Sequence, residues 1–173
     1  MIDICSELNV EPMSQKETEP DLTRSDVIKL IAVANKQPLN LMGVNLSEVD
    51  LSNLDLSGAV LVHANLNRAN LMLTNLRDAN LNRANLSGAD LRGVFLGDAN
   101  LCHADLSGAD LTYAVLSDAD LFCADLTNAD LSRAKLTGAK LRGADLRGAK
   151  LRGADLTDTK LNAADLSDAN LTK

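Results

Sequence analysis

Leucine recurs at every fifth position from Leu41 to Leu171, 27 times in succession without a gap. Two residues before each later Leu stands a small residue. It is Ala at 20 of 26 positions, and the exceptions are Val44, Val49, Leu54, Thr74, Val94 and Thr159. Between that residue and the Leu comes Asp or Asn at 19 of the 26. The unit therefore reads A-(D/N)-L-x-x. A fixed short period decides architecture ahead of local propensity. An α-helix cannot carry this period as a stripe, because five residues turn ~500° and successive Leu drift by about 140° around the axis. On one straight strand the odd period would send alternate Leu to opposite faces. A single interior can collect every Leu only if each unit contains a bend. Within a unit, the small residue and the Leu then point inward and the Asp or Asn between them points out.

The bend is expected in the two residues after Leu. Nine of the ten Gly lie two after a Leu and the tenth, Gly97, lies directly after one. Gly suits a tight turn or a positive φ. Ser and Thr fill 13 of the 27 positions directly after Leu, where their hydroxyls are expected to bond turn backbone. No Pro follows Pro38, so every amide of the repeat is available for hydrogen bonding. With bends near a right angle, four units close a coil of 20 residues, and coils stack at ~4.8 Å. Leu would fill the interior and Ala would leave room for it, since a Leu-only tube would be overpacked.

The A-(D/N)-L-x-x unit, in phase over about three quarters of the chain, resembles the pentapeptide-repeat proteins, especially the regular members abundant in cyanobacteria. The resemblance implies an all-β solenoid, a right-handed quadrilateral β-helix. Residues 38–173 would give nearly seven coils of 20 residues.

Ahead of the repeat, residues 1–20 are acidic, carry Pro12 and Pro20, and read as a mobile tail. Residues 21–37 read as an N-terminal capping α-helix, helical over Asp21 to Lys36 and stopped by Pro38. Thr23 and Asp26 fit a capping box, and Val27, Ile28, Leu30, Ile31, Val33 and Ala34 make a wide apolar surface. An open coil exposes Leu and unpaired edges, so a cap is the expected role. The repeat runs to Leu171-Thr172-Lys173 with no helix after it, which suggests a homodimer through the C-terminal coils.

Composition adjusts this picture modestly. Aromatics are only 2% and Trp is absent, as a narrow Leu/Ala core allows. The net charge of −7 argues against direct binding to nucleic acid or an anionic membrane. No segment is long and apolar enough to span a bilayer. Three cysteines, Cys5, Cys102 and Cys123, are too few and too uneven for a disulfide framework. With no signal-peptide pattern at the start, the reading is cytoplasmic.

Residues 20 apart should stack, so surface chemistry is read in columns. One acidic column runs Asp105, Asp125, Asp145, Asp165; another runs Asp78, Asp98, Asp118, Gly138, Asp158. Both can be solvated turn residues or a track for a basic partner. Arg133, Lys135, Lys140, Arg142, Arg147, Lys150 and Arg152 form a basic belt that would neutralise neighbouring acid or bind a partner. Leu73, Phe95, Tyr113 and Val115 make a small apolar patch, a candidate contact surface. Cys102, His103 and Cys123 fall close together, but their spacing is not a metal motif. Two His and no expected cleft leave little for general acid–base catalysis, so neither an enzyme nor a cofactor is expected. Two non-enzymatic readings remain. The first is a rigid scaffold that presents charged columns to a protein partner. The second comes from the resemblance: some pentapeptide-repeat proteins are acidic dimeric rods that mimic DNA and bind DNA gyrase. The basic belt and the lack of protruding loops rank the scaffold first.

Overall fold

The computed structural model describes residues 19–34 and 37–172. Of the tail expected over residues 1–20, residues 1–18, with Cys5, lie outside the described residues, as do Asn35, Lys36 and Lys173. The repeat closes on the expected 20-residue register. Parallel bridges join residue i to residue i+20 without a break, from Asn40↔Val60 to Lys150↔Asn170, and all fall on the Asp/Asn slot. The pairings are isolated bridges rather than continuous strands. Each five-residue unit spends most of its length turning, which leaves one bridge residue per unit.

Following each amide shows why the unit has its composition. Leu106 N–H donates to Asp125 C=O on the next coil at 2.7 Å, and Gly108 N–H to Thr127 C=O at 2.8 Å. Ala109 N–H closes the turn on Leu106 C=O at 3.1 Å, and Asp110 N–H reaches Ala89 C=O on the preceding coil at 3.0 Å. The fifth amide, that of Ser107, donates to Asp105 Oδ1 at 2.9 Å. The same side-chain bond forms at all 19 Asp or Asn positions of the slot. Asp and Asn occupy the slot because a short side chain with an acceptor oxygen can satisfy the amide two residues on. The hydroxyls after Leu differ from expectation. Ser87 Oγ donates to Asn85 Oδ1 and Ser167 Oγ to Asp165 Oδ1, both at 2.6 Å, so they reinforce the Asp/Asn side chain rather than the backbone.

The second residue after Leu has positive φ throughout, from 53° at Cys123 to 72° at Gly138. Only nine of these 26 residues are Gly; seven more are Asp or Asn, which tolerate the left-handed region. The column Asp78, Asp98, Asp118, Asp158 belongs to this group, so backbone conformation alone already favours acidic residues there.

Inside the tube, every Leu of the five-residue period from Leu41 to Leu151 is at most 2% exposed, and each fully buried Leu contributes roughly 1.5–3 kcal/mol. Thr74 is buried as well, and its hydroxyl donates to Leu51 C=O at 2.8 Å. Burial fades in the last coil: Leu156, Leu161 and Leu166 are half-buried and Leu171 is 54% exposed.

At the other end lies α1, Arg24–Ala34, which starts three residues later than the expected Asp21; the expected end at Lys36 lies outside the described residues. Thr23 and Asp26 form the capping box: Thr23 N–H and Oγ1 donate to Asp26 Oδ2 at 3.1 and 2.7 Å. Val27 is fully buried, and Leu22 and Ile31 pack on the first coil. The apolar surface is narrower than expected, with Ile28, Leu30 and Val33 exposed at 44%, 40% and 81%. One helix crossing a narrow tube end cannot bury more than one stripe. Polar groups cover part of the rest. Asp21 N–H donates to Asn45 C=O at 2.8 Å, and Asp21 Oδ2 accepts from Asn45 N–H at 2.6 Å. The Arg24 guanidinium donates to Asp50 C=O at 2.9 Å and Ser52 C=O at 3.0 Å, carbonyl positions that elsewhere accept amides of the preceding coil. Arg24 thus stands in for a stretch of backbone.

Candidate functional site

The column Asp105, Asp125, Asp145, Asp165 is bridged residue to residue down the rod. Each carboxylate spends Oδ1 on the amide two residues on, at 2.9, 2.9, 3.1 and 2.9 Å in turn. Arg147 divides the column. Its guanidinium sits 2.6 Å from Asp145 Oδ2 and 4.0 Å from Asp165 Oδ2. The Arg147 hydrogen bond holds Asp145 below the usual carboxylate range, and the Ser167 hydroxyl and amide do the same for Asp165. Asp105 and Asp125 have no ion pair among the described residues. The second column stacks as expected. Asp118 Oδ1 occupies the space that a Cβ on Gly138 would need, so Gly138 makes room for the carboxylate above it. Asp78, Asp98, Asp118 and Asp158 are exposed and also lack ion pairs among the described residues.

Much of the basic belt neutralises acid. Lys140 lies 3.6 Å from Asp120, Lys150 3.4 Å from Asp130, and Arg147 clamps Asp145. Arg133 and Arg142 instead stack on aromatic rings. The Arg133 guanidinium lies 5.5 Å from the Tyr113 centroid and donates to its hydroxyl at 2.5 Å; Arg142 lies 5.7 Å over Phe122. Exposed pairs of these kinds are screened by solvent and hold the fold together only weakly.

The residues of the expected apolar patch do not form one continuous surface. Phe95 and Val115 are bridged neighbours, whereas Leu73 and Tyr113 belong to one column separated by Gly93. A Cβ at Gly93 would meet Leu73 Cδ2 at 2.9 Å, so Leu73 lies across that glycine. Leu73 and Tyr113 are 48% and 55% exposed, and Arg77 covers Phe95 at 5.6 Å. The patch is therefore an apolar surface roofed in part by guanidinium groups.

His103 packs edge-on against Phe122, with centroids 5.5 Å apart and planes at 87°. Cys102 and Cys123 are free thiols, and burial pushes the Cys102 thiol up to about 11, which keeps it protonated and unreactive. Among the described residues, no group of three or more His, Cys, Asp or Glu could hold a metal ion. No described helix is long and apolar enough to cross a membrane. The concave features are shallow. One of about 430 Å³ lies between α1 and the first coil, lined by Ile31, Ala34, Leu39 and Leu56 among others. Another, of about 200 Å³, is lined by Asp120, Phe122, Lys140, Arg142, Lys160 and Asn162. Sequence reasoning left Lys160, a residue lining this cavity, aside because it lies outside the 133–152 belt. Its signal was a second Lys in the Asp/Asn slot, 20 residues after Lys140.

The sequence profile of pentapeptide repeats matches the chain in eight copies, over residues 40–78, 79–118, 99–138 and 139–173. No curated protein sequence matches. Among solved structures, a trypsin-treated form of QnrB1, a plasmid-mediated fluoroquinolone resistance protein, is 23% identical with a TM-score of 0.68, covering 73% of this chain and 64% of that one. This chain spans less than two thirds of that structure, and the likeness is one of fold. HetL, involved in heterocyst differentiation regulation in the cyanobacterium Nostoc sp. strain PCC 7120, is 27% identical over 86% of this chain and 96% of that one, with a TM-score of 0.25. The Nostoc pentapeptide-repeat protein alr5209 is 31% identical over 84% of this chain and 94% of that one, with a TM-score of 0.23.

Proposed function

Because this chain belongs to the pentapeptide-repeat family, we propose that it is a non-enzymatic scaffold, a rigid right-handed rod whose outward columns engage a protein partner. The observation that carries this reading is the division of labour between inside and outside. The interior is filled by Leu and Ala that are almost wholly buried, so the chemistry left to the chain lies in exposed columns at the backbone pairing interval. Within those columns Asp78, Asp98, Asp105, Asp118, Asp125 and Asp158 are uncompensated acid, which suits a basic partner surface. Asn substitution tests the track cleanly at Asp105 and Asp125, because Asn keeps the turn acceptor and removes the charge. Partner capture from native cell extract should fall with Asp105→Asn and Asp125→Asn together; undiminished capture eliminates the track.

The DNA-mimic reading has one observation in its favour. Where both columns carry acid, two carboxylates per ~4.8 Å give about one charge per 2.4 Å, which approaches the one charge per about 1.7 Å of a DNA duplex, although Gly138 interrupts the second column. The fold likeness to QnrB1 is compatible with it, while the Lys and Arg partners at Asp120, Asp130 and Asp145 work against it. A gyrase supercoiling assay separates the two; neither inhibition nor protection at high protein excess removes the mimic. Self-association through the C-terminal coils is part of the same proposal, and a monomeric mass at all concentrations in light scattering would end it. The free thiols of Cys102 and Cys123 suit a reducing, cytoplasmic setting.

A further inference from the structure

We propose that Lys140, Arg142, Lys160 and Asn162 form a binding site for a diphosphate group, free or carried on a nucleotide. In a unit with Asp or Asn before Leu, the side-chain oxygen accepts the amide two residues on. One coil above the site, Phe122 N–H donates in this way to Asp120 Oδ1 at 3.2 Å. Lys140 and Lys160 stand in the same slot and offer no acceptor. The amides of Arg142 and Asn162 accordingly have no acceptor among the described residues. The backbone nonetheless keeps the repeat geometry. Asp120, Lys140 and Lys160 are bridged in sequence, Gly143 N–H donates to Asn162 C=O at 3.0 Å, and φ is 69° at Gly143 and 59° at Ala163. Two amide donors ~4.8 Å apart therefore face the place where a carboxylate or amide oxygen of the chain itself sits in other units.

The surroundings match an oxyanion. The two amides belong to residues lining the 200 Å³ cavity with Lys140, Lys160, Phe122 and Asp120. Three cations against one carboxylate make the cavity positive on a chain of net charge −7. Arg142 and Lys160 have no ion pair among the described residues; Lys140 lies 3.6 Å from Asp120, and Arg142 rests on the Phe122 ring with its charge uncompensated. The cavity is too small for a helix or strand of a partner, and two phosphoryl groups joined by one oxygen match two amides one coil apart. Charge-assisted and backbone N–H donors are the usual way to hold such groups. Lys150 stands between Asp130 and Asn170, and Lys135 continues a run with Phe95 and Val115, slots that also offer no acceptor but add no charge; Lys140 and Lys160 are bridged acceptor-free slots that both carry a cation.

The test uses variants that restore the repeat consensus, so failure to fold is not an available explanation. Lys140→Asn with Lys160→Asn returns the missing acceptors; Lys135→Asn with Lys150→Asn changes the same charge elsewhere. Pyrophosphate is titrated into the full chain by calorimetry, with amide chemical shifts followed by NMR. The expected result is a Kd weakened at least tenfold in the first double variant and little changed in the second, with the largest wild-type shifts at Arg142 and Asn162. ADP run alongside distinguishes a nucleotide-borne diphosphate from a free one, and binding of either at these amides supports the site. Equal weakening in both double variants, shifts centred elsewhere, or no binding up to millimolar concentrations overturns it.

Discussion

Replacing Asp110 by Ala and, separately, by Asn isolates what the Asp/Asn slot does. Both changes remove the same charge, so they remove the same repulsion from Asp90 and Asp130 on the neighbouring coils and the same 3.9 Å pairing with Arg92. They differ in the acceptor. Asp110 Oδ1 takes the Thr112 amide at 3.0 Å and also the Thr112 hydroxyl. Ala leaves both donors to water in a half-buried position, whereas Asn keeps an oxygen in place. Two such bonds contribute about 1–2 kcal/mol together. For a chain of this size that corresponds to a melting difference of about 2–8 °C between the two variants, with Asp110→Ala the lower. Thermal and urea unfolding followed by circular dichroism gives the difference. Amide exchange at Thr112 shows whether the loss is local, as a repeat array with nearest-neighbour coupling requires. If the two variants melt together, the slot is chosen for surface charge and the turn account is wrong.

Other outcomes follow from the same geometry. Leu106→Ala, at a fully buried position, should cost about 2–5 kcal/mol in urea unfolding, and a loss under 1 kcal/mol would overturn the inward assignment. Arg24→Ala removes two hydrogen bonds to carbonyls of the first coil and should lower stability by about 2 kcal/mol, with faster exchange around residues 50–53; unchanged exchange there would count against the cap. Asp50, Asp55 and Asp155 are held below their ordinary value of 3.8 by the hydroxyl and amide two residues on. Folded values below unfolded ones mean that this stability is complete above the unfolded value and is lost as pH falls through the folded ones. Melting temperature should therefore be flat from about pH 7 to about pH 5 and decline below about pH 4; a rise on acidification would contradict the assignment.

Much of the fold could be read from the residues, because a period of five admits few closed shapes. Leu and Ala pointed inward, Gly marked the turn, and the 20-residue register followed from four bends. The reason for Asp and Asn was harder to see. As surface residues they suggested solvated ladders, yet the D-L-S and D-L-T triplets already carried the signature of a side chain accepting the amide two residues on. The left-handed conformation at positions such as Leu73, Tyr113 and Cys123 had no signal beyond the nine Gly in equivalent places. In α1 the apolar pattern is wider than the buried face, since Ile28, Leu30 and Val33 have little to pack on among the described residues at a narrow tube end. The long reach of Arg24 into the first coil depends on where the helix lands, which no local pattern encodes.

The unbroken register also limits how such a chain can change length. Inserting a single residue would turn Leu outward from that point on and expose the interior. Inserting five would restore the interior but carry every later column round to the next side, so that Asp105 and Asp125 would no longer stand above Asp145 and Asp165. Only steps of 20 lengthen the rod, by ~4.8 Å each, with every column still in line. Duplication of whole coils is therefore the growth mode that preserves a surface once selected, whereas shorter duplications make a new surface from the same residues.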